Sequence, residues 1–416
     1  MSSSVSAVEA WVPRSLLELD GTSVIPPATA EGLTAVRLSW SAGRLLAPQP
    51  LESGSRPPEV LVLPRLVDPH VHLDKAFTWP EHPNLSGTYD GALEANLREH
   101  AGRDANAVRA RGETALKLAC GHGLRAVRTH IDSLGPGAMP SWEALEELKS
   151  SWKEQLEVQL VALVPIAHWA TADGARLAKR VAACGGLLGG VLVPPCHGAA
   201  VRDHLRALLQ LAEQHGCPVD LHIDEADHGP AAGLTQLLRV LERFPCSQRI
   251  TCSHASSLAL LDPRSLERLG ARMAVQRLQV VALPLTNGWL LSRTTHATPV
   301  CRPLAPIRQL QRAGITVAVG GDNVADPWFP GGDFDPLALM ASSLPLAQLA
   351  PWQRLGLSPF TTAAAHVMDL AWDGVIRRDA PADLVMLQAQ TWSAALRRPP
   401  QRQVLIAGRW WEPSRR

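Results

Sequence analysis

Residues Leu66 to Asp74 read LVDPHVHLD. The run is apolar apart from its acidic and imidazole residues and reads as a buried strand. His70 and His72 are two apart, and the two-residue strand period puts both imidazoles on one face. Imidazole nitrogen suits zinc, iron and related metals. Working outward, seven more short apolar runs follow. They are LRAVRTHID (from Leu124), LEVQLVALVP (Leu156), LLGGVLVPP (Leu187), PVDLHIDEA (Pro218), RITCSHA (Arg249), LQVVALPLTN (Leu278) and ITVAVGGDN (Ile315). Helix-like segments such as EALEELKSSWKEQ, DHLRALLQLAEQHG and LTQLLRVLERF lie between them. Strands alternating with helices over Leu66 to Asn323 predict a closed (β/α)8 TIM barrel. A doubly wound open sheet is the alternative, but no GxGxxG follows a first strand, which weakens a dinucleotide fold.

The polar residues gather where such a barrel carries its chemistry, at the C-terminal ends of the strands. His70 and His72 end the first run, His130 and Asp132 the second, His222 and Glu225 the fifth, His254 the sixth and Asp322 the eighth. Glu225 lies three residues past His222, off the strand face, and suits proton transfer better than ligation. Asp322 follows a Gly pair and can ligate a metal and accept a proton. His254 is either a ligand or a residue that orients an attacking water, and the second role is favoured.

Composition narrows the partners. The chain has 416 residues, 46% hydrophobic and 19% charged, with a formal net charge of +1. It can bury a large core, and its charge disfavours a nucleic-acid polymer as partner. Only five of the 40 basic residues are Lys. The seven Cys are scattered with no CxxC, which points to a reducing compartment. There is no signal-peptide pattern and no apolar run long enough for a bilayer. The expected setting is cytoplasmic, with no membrane partner; homo-oligomerisation stays open. The first 65 residues, with LTAVRLSW and EVLVLPRLV, and the last stretch, with ADLVMLQA and RQVLIAGRWW, read as further strands.

The motifs HVHLDKAF (His70 to Phe77), VRTHID (Val127 to Asp132), HIDE (His222 to Glu225), SHA (Ser253 to Ala255), PLTN (Pro284 to Asn287) and GGDNVADPWFP (Gly320 to Pro330) resemble the amidohydrolase superfamily, nearest to its cytosine deaminase branch. The resemblance runs over nearly the whole chain. It implies that 1–65 and 377–416 combine into a small β-sandwich-like domain beside a barrel at 66–376. It implies one divalent ion, Zn2+ or Fe2+, held by His70, His72, His222 and Asp322. Glu225 would protonate a ring nitrogen, His254 would orient the water, and Asp322 would double as the base. Two-metal relatives carry a carboxylated Lys on the fourth strand; the fourth run here has none. Lys75, directly after the HxH motif, either holds a loop or meets the substrate. His130 and Asp132 are expected to orient the ligands.

Three positions bear on the substrate. Where cytosine deaminases read the base edge with a Gln after the third-strand Pro, this chain has Ile166. Where they carry a second Asp, it has Asn323, as the related N-alkyl triazine amidohydrolases do. Trp328 can stack on a flat heterocycle or pack as a lid base. The expected reaction is hydrolytic deamination of a small amino-substituted N-heterocycle, a cytosine-like pyrimidine or a triazine, with release of ammonia. The alternatives are release of an alkylamine or opening of a cyclic amide, and a non-catalytic metal-binding barrel.

Overall fold

The computed structural model describes residues 5–21, 27–52, 54–398 and 400–412. The chain divides into two compact units. One comprises Met1–Val67, Leu116–Ala126 and Phe334–Arg416; the other comprises Asp68–Ala115 and Val127–Asp333.

The barrel sheet contains, among the described residues, eight strands in chain order: β1 (Leu66–Val71), β2 (Leu124–Asp132), β3 (Glu157–Leu163), β4 (Leu187–Leu192), β5 (Val219–Ile223), β6 (Ile250–His254), β7 (Gln279–Ala282) and β8 (Val317–Val319). Pairing from β3 through β8 is parallel. β5, β6, β7 and β8 are buried along their whole length, which is why they read as near-continuous apolar runs with no alternation. The sheet closes on itself just past β8. The Asp322 amide donates to the His70 carbonyl at 2.8 Å, and the His72 amide donates to the Asp322 carbonyl at 3.2 Å. This closure excludes the open-sheet alternative. Gly320 permits it, because a Cβ there would lie 2.9 Å from the His70 Cβ.

Helices follow the strands, among them α1 (Tyr89–Ala101) after β1 and Ala138–Trp152 after β2. α1 starts at Thr88, whose side chain accepts from the Gly91 amide, an N-cap that satisfies one of the helix's free donors. The helix expected to run to Gln155 ends at Trp152, and the one expected to run to Phe244 ends at Leu241. Turn hydrogen bonds back to the Trp152 and Val240 carbonyls take over there.

The second sheet is mixed. Its order is Arg409–Trp410, Arg402–Ile406, Leu384–Leu387, Leu61–Pro64, Ser6–Pro13, Leu33–Ser41 and Arg44–Leu45, with Gln49–Pro50 also on Leu33–Ser41. Strands from both ends of the chain thus meet in one sheet. Val12, Val36, Leu38, Val62, Leu384 and Leu405 form its core with Ile376. EVLVLPRLV, read as one strand, is two: Leu61–Pro64 belongs to this sheet and Leu66–Val71 to the barrel. Among the described residues no helix is long and apolar enough to cross a membrane.

Candidate metal centre

The HxH pair faces the barrel interior as its spacing predicts. His70 Nε2 lies 3.5 Å, and His72 Nε2 3.3 Å, from Asp322 Oδ1. The His222 ring lies 4.6 Å from that of His70, and the His254 ring 4.9 Å from that of His222. One ligand atom each from His70, His72 and Asp322 lie within 4.8 Å of one another, as do those from His70, His222 and His254. All five residues are buried.

Hydrogen bonds at the far side of each ring decide which nitrogen faces the centre. His72 Nδ1 lies 3.1 Å from the His130 carbonyl oxygen. A carbonyl only accepts, so Nδ1 carries the proton and Nε2 keeps its lone pair. His70 Nδ1 lies 2.9 Å from Ser253 Oγ, which itself donates to Asp220 Oδ1 at 2.7 Å. His70 therefore donates to the serine and also presents a bare Nε2. Arg128 holds the far oxygen of Asp220 at 2.8 Å, ending a buried chain behind His70. Such outer contacts set the orientation and basicity of ligating histidines.

His254 is the reverse. The Asn287 amide nitrogen lies 3.0 Å from His254 Nδ1 and 3.4 Å from Glu225 Oε1. An amide NH2 only donates, so Nδ1 accepts and the proton of the neutral ring sits on Nε2. Burial pulls the His254 pKa down to about 4, so the ring is neutral at pH 7. Burial, then the neighbouring imidazoles, also holds His70 and His222 well below the ordinary histidine value. Glu225 moves the other way: burial first, then the Asp322 charge, raises its carboxyl well above the usual range.

These residues sit on backbone that ordinary side chains rarely adopt. Asp224, His254 and Asp322, at the ends of β5, β6 and β8, have φ of 56°, 71° and 65°. Such left-handed residues cluster at functional sites, where surrounding contacts hold them. Asp224 shows how. Its carboxylate accepts from the amides of Gly233 and Leu234 at 2.8 and 2.9 Å, at the start of helix Ala232–Leu241. This fixes the turn that carries Glu225.

The centre opens into a cavity of about 410 Å3 whose lining includes His72, His222, Glu225, His254 and Asp322. Lys75, Asp132, Asn323 and Trp328 line it as well. Lys75 pairs with Asp132 at 3.1 Å. Asp132 also receives Arg103, which pairs with Asp74 at 2.7 Å and with Glu99. Asn323 donates to Asp326 at 2.9 Å, and Trp328 meets Tyr89 edge-on at 5.0 Å. His130 is not at the cavity wall. It stacks on His70 at 3.8 Å and its carbonyl orients His72. Ile166 also lies off the wall, contrary to its expected role at the substrate. It opens a 3-10 turn, and its Cδ1 packs against Gly190. The apolar wall is made by Val164, Pro165, Val191 and Val193 instead. Tyr89, Asn96 and His100 on α1 also line the cavity, and no motif pointed to them. The one available signal was that Tyr89 is the chain's single tyrosine.

The donor set fits a divalent cation. Among the described residues His70 Nε2, His222 Nδ1 and both Asp322 carboxylate oxygens are buried without a hydrogen-bond partner. Buried polar groups are normally paired, and neutral imidazoles with a carboxylate are what zinc or iron takes.

Residues 137–410 match the model of the Amidohydrolase family. The chain is 32% identical over 366 residues to a pterin deaminase of Rhizobium rhizogenes (strain K84), covering 86% of this chain and 83% of that protein. It is 24% identical over 336 residues to the N-isopropylammelide isopropyl amidohydrolase of Pseudomonas sp. (strain ADP), covering 79% and 80%. Its fold matches that of 5-methylcytosine deaminase from Klebsiella pneumoniae with a TM-score of 0.82, at 22% identity and 97% coverage of both chains. With its closed barrel, its buried donor set and these matches, the chain belongs to the amidohydrolase family.

Proposed function

We propose that this chain is a metal-dependent deaminase that replaces the amino group of a small N-heterocycle with oxygen and releases ammonia. The observation that carries this reading is the meeting on one cavity of His72, His222 and Asp322, the last two with unpartnered polar atoms, with the Glu225 carboxyl, whose pKa burial raises, and His254. His70, His72, His222 and Asp322 are the residues to hold one ion, Zn2+ or Fe2+. When bound, the ion supplies Lewis acidity and a water of lowered pKa.

The chain's own residues do the rest. An Asp322 carboxylate oxygen takes a proton from the attacking water. The Glu225 carboxyl donates to the ring nitrogen beside the reacting carbon, where negative charge otherwise builds. His254 Nε2–H points at the incoming oxygen and steadies it, with Asn287 fixing its tautomer. The proton gathered from water leaves with the amine and the remaining hydroxyl proton returns to Glu225, so heterocycle and water become the oxo-heterocycle and ammonia. Trp328 and the wall of Val164, Pro165, Val191 and Val193 offer flat apolar surface to the ring. Asn323 lines the cavity, with its amide nitrogen donating to Asp326 and its Oδ1 accepting from Thr286 at 3.4 Å.

The relatives' names support C–N hydrolysis of this kind, one on a pterin and one releasing an isopropyl amine. The Asp322–Asn323 pair keeps alkylamine release as a second reading. A cytoplasmic site of action belongs to the same proposal, supported by the absence of disulfides among the seven cysteines. The test is metal analysis of the purified protein together with a product screen of aminopyrimidines, aminotriazines and aminopteridines. Ammonia release at one metal equivalent is the expected result. An alkylamine or a ring-opened acid as sole product overturns deamination.

A further inference from the structure

A second cavity, of about 400 Å3, lies beside the catalytic one. Helix Ala232–Leu241 makes one wall with Ala232, Thr235, Gln236 and Arg239. They stand at i, i+3, i+4 and i+7, a single helix face. The segment after β4 makes the facing wall and includes His197, and His228 lies between the two. The lining holds one guanidinium, two imidazoles, an amide and a hydroxyl, and no carboxylate.

The donors of this lining are free for a ligand. Among the described residues Arg239 meets no carboxylate at ion-pair distance. Glu242, three residues on, is taken by Arg272 at 2.8 Å. Gln236 is 6% exposed, and its Oε1 accepts from Arg202 Nη1 at 3.1 Å. That contact fixes the amide: the oxygen is occupied and the NH2 remains. Among the described residues Nε2 has no partner, yet it is not enclosed by protein. The acid beside the cavity, Asp227, stays outside the lining. Its Oδ1 meets His228 Nδ1 at 3.1 Å, and its Oδ2 accepts from the Ser292 amide at 2.8 Å. The first amides of the helix are taken by Asp224, so side chains alone carry the site. A concave surface with basic groups and no acid attracts anions. The guanidinium fork matches two oxygens of a carboxylate or a phosphate.

We propose that this cavity binds a small oxyanion, the phosphate or carboxylate group of a metabolite. Arg239 is its charged anchor, Gln236 and Thr235 are its donors, and His197 faces them. The site shares no lining residue with the catalytic cavity and does not depend on the deaminase reading. Both of its walls nevertheless continue into that cavity. Val193 lines the catalytic cavity and Pro194 the second one, as do Glu225 and His228 in turn. An occupant therefore ties together two stretches of backbone that carry residues of the catalytic cavity.

The experiment uses the metal-loaded protein, with inorganic phosphate and acetate as the probes in calorimetry. The wild type is expected to bind at least one of them saturably. Arg239→Gln should weaken that binding about tenfold or more, and Arg239→Lys should weaken it less. Arg268→Gln, an exposed position on the helix Pro263–Val275, should leave it unchanged. Amide exchange over 196–198 and 228–239 should slow with the anion in the wild type and not in Arg239→Gln. Tighter binding of phosphate assigns the site to a phosphorylated ligand, and tighter binding of acetate to a carboxylate; either supports the oxyanion site. A protein that binds neither probe saturably overturns the proposal. So does an affinity unchanged in Arg239→Gln, the result expected of an anion held at the metal. An equal loss in Arg268→Gln also overturns it, because general surface charge then accounts for the binding. If Arg239→Gln does not fold, as read by its melting temperature, His197→Gln on the facing wall decides on the same readings.

Discussion

His72 Nε2 stands 3.3 Å from Asp322 Oδ1, and the backbones of the two residues are hydrogen-bonded across the closing seam of the barrel. One contact therefore serves both the fold and the donor set. Asp322→Asn separates the two roles. Asn tolerates the left-handed backbone, so the fold should persist while the anionic donor is lost. Metal content by mass spectrometry should fall at least about tenfold, with ammonia release falling alongside. A variant that keeps a full metal equivalent shows that Asp322 is not a ligand.

Ser253 touches no substrate, yet it sets the tautomer of His70. Ser253→Ala removes the acceptor for His70 Nδ1 and the donor to Asp220. Metal affinity should drop by about 10- to 100-fold, and added metal should restore activity. Competition with a chelator at graded metal concentrations measures this. An unchanged affinity means that the chain from His70 to Arg128 has no part in ligand orientation.

Glu225→Gln keeps the side chain's size and removes its transferable proton. The rate of ammonia release should fall about 100-fold or more while metal content stays the same. If the metal is lost in parallel, Glu225 is a ligand and not the proton donor.

Asp335 and Arg402 form a two-pronged buried pair at 2.8 and 2.6 Å, with side chains 1% and 8% exposed. Removing one partner, as in Arg402→Met, should cost about 3–5 kcal/mol, read by denaturant unfolding. The pair also sets an acid dependence. Burial pushes the Asp335 carboxyl up, but the hydrogen bonds and charge of Arg402 outweigh it and hold the carboxyl below its ordinary value. A group depressed in the folded state contributes stability above its unfolded pKa, about 3.9 for Asp, and loses it as pH falls through the folded value. The melting-temperature gap between wild type and Asp335→Asn should be full at pH 7 and shrink only below about pH 4. A gap that already closes between pH 7 and 5 contradicts this.

Cys301 is the one exposed cysteine; the other six are buried or partly so. Burial pushes the Cys120 and Cys246 thiols up to about 11 and that of Cys196 to about 12. The thiolate is the reactive form. A thiol reagent at pH 7.5 should therefore titrate one group rapidly in the native protein and seven after denaturation. Two or more fast equivalents in the native state would show that a buried thiol is open to solvent.

The amino-acid sequence determined the barrel and the buried polar residues that cluster at its centre. β5 to β8 are buried along their whole length and so appear as apolar runs, and polar residues gather just past several of the run ends. His70, His72, His222, Glu225, His254 and Asp322 could all be named this way because they are polar residues breaking an apolar pattern. Tertiary structure alone decided three other matters. The tautomers of His70, His72 and His254 depend on Ser253, the His130 carbonyl and Asn287, partners that adjoin them only across neighbouring strands and loops. The cavity wall includes Val164, Pro165, Val191 and Val193 but not Ile166, which starts a 3-10 turn with its Cδ1 against Gly190. The face of α1 with Asn96 and His100 has no motif, since an amphipathic helix reads alike whether its inner face meets a core or a ligand. What separates the two cases is whether the face borders a cavity, and that is visible only once distant segments have met.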